Sequence, residues 1–243
     1  MKKAIFVMSL LVLGFIACKK NKEVFKTSSS INVINAVVGL PSVKINPGVN
    51  PFFYSKTSDV VNYSANRFYF VELGQRTIEA VSNADTTKAL FNLNYNMQSG
   101  FYTMYLAGQF PNVDTLFRKE VNFPFIKTDV TTPLLEDNVT TVRFVNLSPN
   151  SPTVQINIRN STTNEVINLS YKSISDWKRY VNKATGTTNY VFELRNEATN
   201  AILLTYTFGA TATNKYKNVA LVIKGLVGGT GVNAFGIFPV NYF

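Results

Sequence analysis

The sequence contains no histidine and one cysteine. A single cysteine closes no disulfide within the chain. Without histidine there is no His/Cys metal cluster, no Ser-His-Asp triad and no Cys-His nucleophile pair. Acidic residues are also scarce, 14 against 24 lysines and arginines, for a formal net charge of +10. The one adjacent acidic pair is Glu136-Asp137, and no motif singles out two carboxylates of the kind a glycosidase needs. An EF-hand-type calcium loop is missing. So are zinc-finger, helix-turn-helix and RNP-like patterns, so the positive charge does not point to nucleic acid. After the first 18 residues no apolar run is long enough to span a bilayer.

What is present favours strands. Of 243 residues, 46% are hydrophobic, enough to bury sizeable cores, and 19 Phe and 12 Tyr accompany frequent Asn and Thr. Much of the basic charge lies near the start. Lys2 and Lys3 precede an apolar run from Ala4 to Ala17, and Lys19, Lys20, Lys22 and Lys26 follow it. That run of 14 residues suits the core of a signal peptide and falls short of the ~20 a spanning helix needs. The only cysteine comes directly after it. Phe15-Ile16-Ala17-Cys18 resembles the bacterial lipobox, with Phe15 in place of the usual leucine. The resemblance implies cleavage before Cys18, lipidation of that residue and anchoring by more than one acyl chain. Residues 18–30, ending in three serines, read as the lipidated cysteine and a flexible tether.

Beyond the tether a pattern occurs twice. Aligning Asn35 with Asn146 places Pro41 on Pro152, Val43 on Val154, Ile45 on Ile156 and Asn46 on Asn157 without a gap. The order of later segments agrees. Residues 75–81 correspond to 189–194 and 91–95 to 202–208, and the Tyr102–Gly108 strand corresponds to Tyr216–Gly225. The runs alternate: Tyr190, Phe192 and Leu194 share one side, as do Ile202, Leu204, Tyr206 and Phe208. Short alternating runs broken by Gly, Pro, Asn and Ser signal a sandwich or barrel. Residues 170–181 admit either one turn of helix or strand plus loop.

VRFVNLSPNSPTVQINI (142–158) resembles the opening motif of the domain of unknown function 4397 family. Tyr171, Ser175 and Trp177 before Gly186 echo the middle of that family's pattern, and residues 218–225 echo its end. The resemblance covers most of residues 31–225 and implies an immunoglobulin-like sandwich in a Bacteroidetes-type envelope lipoprotein. It transfers no catalytic residue. The expected architecture is all-β: a signal peptide (1–17), the tether (18–30), a first immunoglobulin-like β-sandwich (31–120), a connector (121–140) and a second sandwich (141–243).

Three further segments are candidates for chemistry. The glycines at 225, 228, 229 and 231 lie between strand-like runs, so a tight hairpin is expected in place of a phosphate loop, which needs a following helix. Trp177, Lys178, Arg179 and Tyr180 form the one dense mixture of aromatic and basic side chains, near Lys172 and Lys183. They are the candidate ligand contacts, with core packing of the aromatics as the alternative. Pro51-Phe52-Phe53-Tyr54 is a second aromatic cluster with the same two readings.

The expected function is a non-catalytic lipoprotein of the outer membrane, without metal or cofactor, acting as a binding, adhesion or scaffolding module. Its expected partners are the membrane, through the lipid anchor, and an envelope protein or glycan. Both the periplasmic and the surface face stay open. The alternatives are a glycan-binding accessory lipoprotein of a nutrient-uptake system and, third, a carboxylate-based glycan hydrolase.

Overall fold

The computed structural model describes residues 28–121, 123–124, 139–182, 188–211, 214 and 216–242. The leader, Cys18, Lys183, Gly186, Glu136-Asp137 and most of the connector lie outside the described residues. Among those described, the regular structure is all β-strand, apart from short 3-10 turns at Tyr54–Lys56 and Gly231–Asn233.

The first eight strands are β1 (Ser28–Asn35), β2 (Ser42–Asn46), β3 (Val61–Asn62), β4 (Ala65–Glu72), β5 (Gly74–Ser82), β6 (Ala89–Met97), β7 (Phe101–Gln109) and β8 (Asn112–Glu120). They form two sheets, ordered β4-β1-β7-β8 and β3-β2-β5-β6. The next eight are β9 (Val139–Asn146), β10 (Val154–Ile158), β11 (Asn164–Leu169), β12 (Lys178–Val181), β13 (Thr188–Asn196), β14 (Ile202–Ala210), β15 (Asn218–Lys224) and β16 (Gly236–Asn241). Their sheets run β12-β9-β15-β16 and β11-β10-β13-β14, so each order repeats the earlier one with every strand number raised by eight. Even the register repeats. Parallel β1 and β7 pair from Ser30–Phe101 to Asn35–Leu106, and parallel β9 and β15 pair from Thr141–Asn218 to Asn146–Ile223.

The alternation of side chains decides which face each residue buries. Ile31, Val33, Tyr102, Met104 and Leu106 meet the inward residues of β3-β2-β5-β6 in one core. Val142, Phe144, Phe192, Leu194, Val219 and Leu221 fill an equivalent core between β12-β9-β15-β16 and β11-β10-β13-β14. The intervening residues of the same central strands build a third core. Ile34, Ala36, Tyr105 and Ala107 from one half pack on Val145, Leu147, Ala220, Val222 and Tyr242 from the other. Sheets β4-β1-β7-β8 and β12-β9-β15-β16 are therefore the inner layers. Their central strands β1, β7, β9 and β15 are largely buried on both faces, and β15 carries nearly unbroken apolar sequence, whereas edge strand β4 leaves Phe68 and Phe70 exposed.

Three expectations need correction. The tether does not run to residue 30: β1 begins at Ser28, and the buried Ser29 hydroxyl donates to the Gly100 carbonyl at 2.7 Å. Small serines enter a sheet because ladder bonds satisfy their backbone and a neighbouring carbonyl satisfies the hydroxyl. The strand expected from Tyr216 begins at Asn218, since Tyr216 has a left-handed φ of 58°. Ile202, expected on one side with Leu204, Tyr206 and Phe208, is shifted out of their alternation by a register shift: it pairs with Arg195 while Leu204 pairs with Leu194, and it is 51% exposed. Residues 170–181 are loop followed by β12.

Candidate functional site

Trp177 and Tyr180 do not share a surface. They flank the β12-β9-β15-β16 sheet from opposite sides. Tyr180 is 4% exposed, lies in the core behind that sheet and donates to Glu165 Oε2 at 2.9 Å. Burial first, then the Glu165 charge and hydrogen bond, push its hydroxyl far above the usual tyrosine range. Its ring is thus not presented to a ligand. Trp177 packs on the core between the inner sheets. Lys178 pairs with Glu165 at 3.5 Å, and Arg179 is exposed. Four chain neighbours alternate across a strand, so an aromatic-basic run in sequence becomes two separate environments.

Beneath Trp177 lies a group that sequence reading missed. Arg143, on β9, is 1% exposed. Its Nη1 donates to Glu120 Oε2 at 2.9 Å and its Nη2 to Glu120 Oε1 at 2.6 Å, a bidentate pair across the two inner sheets. The same Nη2 reaches the hydroxyls of Tyr105 (2.8 Å) and Tyr242 (2.7 Å), which lie 2.6 Å apart. The guanidinium stacks 4.5 Å from the Trp177 ring centre and 4.9 Å from that of Tyr242. Burial alone would raise the Glu120 carboxyl, but the Arg143 hydrogen bonds and charge bring it below its ordinary value. Asn32 occupies the position that the internal alignment matches to Arg143, so the clamp has no copy in the first half. The available signal was one charge inside the apolar run VRFV, in a strand buried on both faces. The clamp is sealed from solvent and serves cohesion. At the far end of the same seam, Lys172 pairs with Asp114 at 2.7 Å and the Gly39 N–H donates to Asn233 Oδ1 at 3.2 Å.

An open cleft lies elsewhere, on the outer face of β3-β2-β5-β6. Residues 47–60, between β2 and β3, fold back over that face and enclose a cleft of about 470 Å³. Phe52 and Tyr54, from the second aromatic cluster, form one wall, with ring centres 5.0 Å apart and edge to face. Gln75, Thr77 and Glu79 on β5 form the floor, with Asn46 of β2 beside them. The Tyr54 hydroxyl donates to Glu79 Oε1 at 2.6 Å, and Lys44 Nζ donates to the Tyr54 carbonyl at 2.9 Å. These two bonds hold the loop on the sheet. Burial, then the Glu79 hydrogen bond and charge, raise the Tyr54 hydroxyl well above its usual range, so it remains a protonated donor. Arg76, at one end, is bound by Glu72 at 2.7 Å.

No protein-family model matches the chain, and no curated protein matches it. The cleft is therefore read from its own chemistry. It brings together one aromatic pair, amides and hydroxyls, and a single carboxylate, Glu79. Among the described residues no three His, Cys, Asp or Glu side chains group where they would hold a metal.

Proposed function

We propose that the chain is a non-catalytic, outer-membrane lipoprotein, anchored through Cys18, that acts as a binding or scaffolding module. In this reading its two halves are tandem immunoglobulin-like β-sandwiches of the kind that the domain of unknown function 4397 resemblance implies. The eight-strand repeat of topology and register supports the duplication. The observation that carries the functional reading is the layering. The inner sheets cover each other and are clamped by Arg143 and Glu120, which leaves the outer sheet faces to meet a partner. A glycan-binding accessory role is favoured by the cleft between Tyr54 and Gln75. Hydrolysis is disfavoured there, because a glycosidase needs two facing carboxyls and the cleft is lined by one.

The test is metabolic labelling with a radioactive fatty acid in cells expressing the wild type or Cys18→Ala, followed by detergent phase partition. Label that depends on Cys18 and entry into the detergent phase are expected. An unlabelled protein in the aqueous phase overturns the anchor. Turnover of a polysaccharide by the purified protein overturns the non-catalytic reading.

A further inference from the structure

We infer that the cleft on the outer face of β3-β2-β5-β6 binds a neutral oligosaccharide, with Phe52 as the stacking ring and Gln75, Thr77 and Glu79 as the polar floor. This rests on the binding-module reading and gives it a site and a ligand class.

The size fits, since small-ligand sites span roughly 300–1,000 Å³ and this cleft holds about 470 Å³. Sugars present apolar C–H faces and rims of hydroxyls. They need an aromatic surface beside groups that both donate and accept. Asn46 is oriented by its own loop: its Oδ1 accepts from the Gly48 and Val49 N–H groups at 3.0 and 2.8 Å, which leaves its amide N–H groups as donors. Glu79 uses Oε1 for Tyr54, leaving Oε2 as an acceptor at the floor.

Charge gives anions no dedicated partner here. Arg76 is paired with Glu72 and Lys44 donates to the Tyr54 carbonyl, while the Glu79 carboxylate lies in the floor, where it would repel a phosphate or uronate.

The floor also extends beyond the cleft. Asn96, Asn94 and Asn92 on β6 stand directly opposite Gln75, Thr77 and Glu79, and all three are exposed. Directly opposed residues share a sheet face, and the Thr77 hydroxyl donates to Asn94 Oδ1 at 2.6 Å. The N-x-N-x-N alternation thus lays a second row of amides beside the first, which suits a chain of sugar units better than a single ring.

The second half provides an internal contrast. Its β10 and β11 are joined by the short residues 159–163, which supply no aromatic wall. The matching floor is crossed by the Arg159–Glu193–Arg195 ion pairs at 3.2 and 2.7 Å. The cleft therefore arises from the longer β2–β3 connection, not from the shared fold.

The test uses the purified full chain on an array of cellohexaose, maltohexaose, xylohexaose and mannohexaose, with hexagalacturonate as the anionic comparison and calorimetry on any hit. Saturable binding of at least one neutral oligomer is expected. Phe52→Ala and Gln75→Ala should each weaken it about tenfold or more, a loss of one or two contacts, at unchanged melting temperature. Thr207→Ala, on the matching face of the second half, should leave it intact. Retention of hexagalacturonate alone overturns the ligand class. Neutral binding insensitive to Phe52→Ala and Gln75→Ala overturns the site while leaving the binding-module reading in place. No retained sugar together with crosslinking in cells to one envelope protein overturns the glycan inference alone, and cleavage of an oligomer overturns both.

Discussion

Asn35 and Asn146 occupy the same place in the two halves and share two bonds, one from the side-chain amide and one to its oxygen. At the end of β1, Asn35 Nδ2 donates to the Val61 carbonyl at 3.2 Å and its Oδ1 accepts from the Val37 N–H at 3.1 Å. At the end of β9, Asn146 Nδ2 donates to the Leu169 carbonyl at 3.1 Å and its Oδ1 accepts from the Ser148 N–H at 3.1 Å. Each asparagine is fully buried and ties the first strand of its half to the third. Replacement by alanine strands a buried N–H and a carbonyl, at roughly 1–3 kcal/mol for each group left unsatisfied. Asn35→Ala and Asn146→Ala should therefore lower stability by similar amounts, about 2–6 kcal/mol each by the same reasoning. Urea denaturation of the two variants measures this, and a large cost for one beside none for the other would refute the equivalence.

The clamp predicts a non-additive pair. Breaking a buried ion pair by removing one partner costs about 3–5 kcal/mol, whereas replacing both by apolar residues is often neutral. Arg143→Met should destabilise strongly because Glu120 is left buried at 7% exposure without its bidentate partner, keeping the Thr103 hydrogen bond and Arg118 at 3.4 Å. Arg143→Met with Glu120→Leu should be more stable than Arg143→Met alone. A double-mutant cycle by chemical denaturation checks the sign of the coupling.

Acid should act on the same pair. Because Glu120 titrates below its ordinary value in the fold, its contribution is fully present above the unfolded carboxyl pKa, about 4.3. That contribution is lost as the pH falls through the lower folded value. The stability gap between wild type and Glu120→Gln should thus be widest above about pH 5 and close as the pH drops below about 4. A gap that stays constant across that range would mean Glu120 is not the ionised partner.

The glycine run separates two kinds of requirement. Gly225 has φ +78°, and an added Cβ would come 2.1 Å from the Ala234 carbonyl oxygen. Gly228 has φ +80°, with open space where its Cβ would stand. Gly228→Ala should cost only the left-handed backbone penalty, about 1–2 kcal/mol, and Gly225→Ala clearly more. Thermal melts of both variants test the order. The run joins antiparallel β15 and β16 as a hairpin, but through residues 225–235 with a 3-10 turn at Gly231–Asn233, a longer connection than the tight turn expected.

The fold was readable in the chain where a local rule sufficed. A period of two marked the faces of β13 and β14, and the ungapped match around Asn35 and Asn146 located two units whose strand orders coincide. The aromatic cluster at Phe52 was visible, but its position over β5 was not. Trp177 and Tyr180 were visible as well, and their separation onto two faces depends on where β12 enters its sheet.

By itself the sequence determined the all-β class, several of the strands, the internal match around Asn35 and Asn146 and the absence of histidine and paired-cysteine chemistry, because periodicity and composition are local properties of the chain. Only the tertiary structure decided that the central strands of two sheets are buried on both faces, that Arg143 meets Glu120, and that residues 47–60 close a cleft over Gln75 and Glu79. Alternation assigns a residue to a face and says nothing of what that face meets. That depends on contacts between segments far apart in the chain.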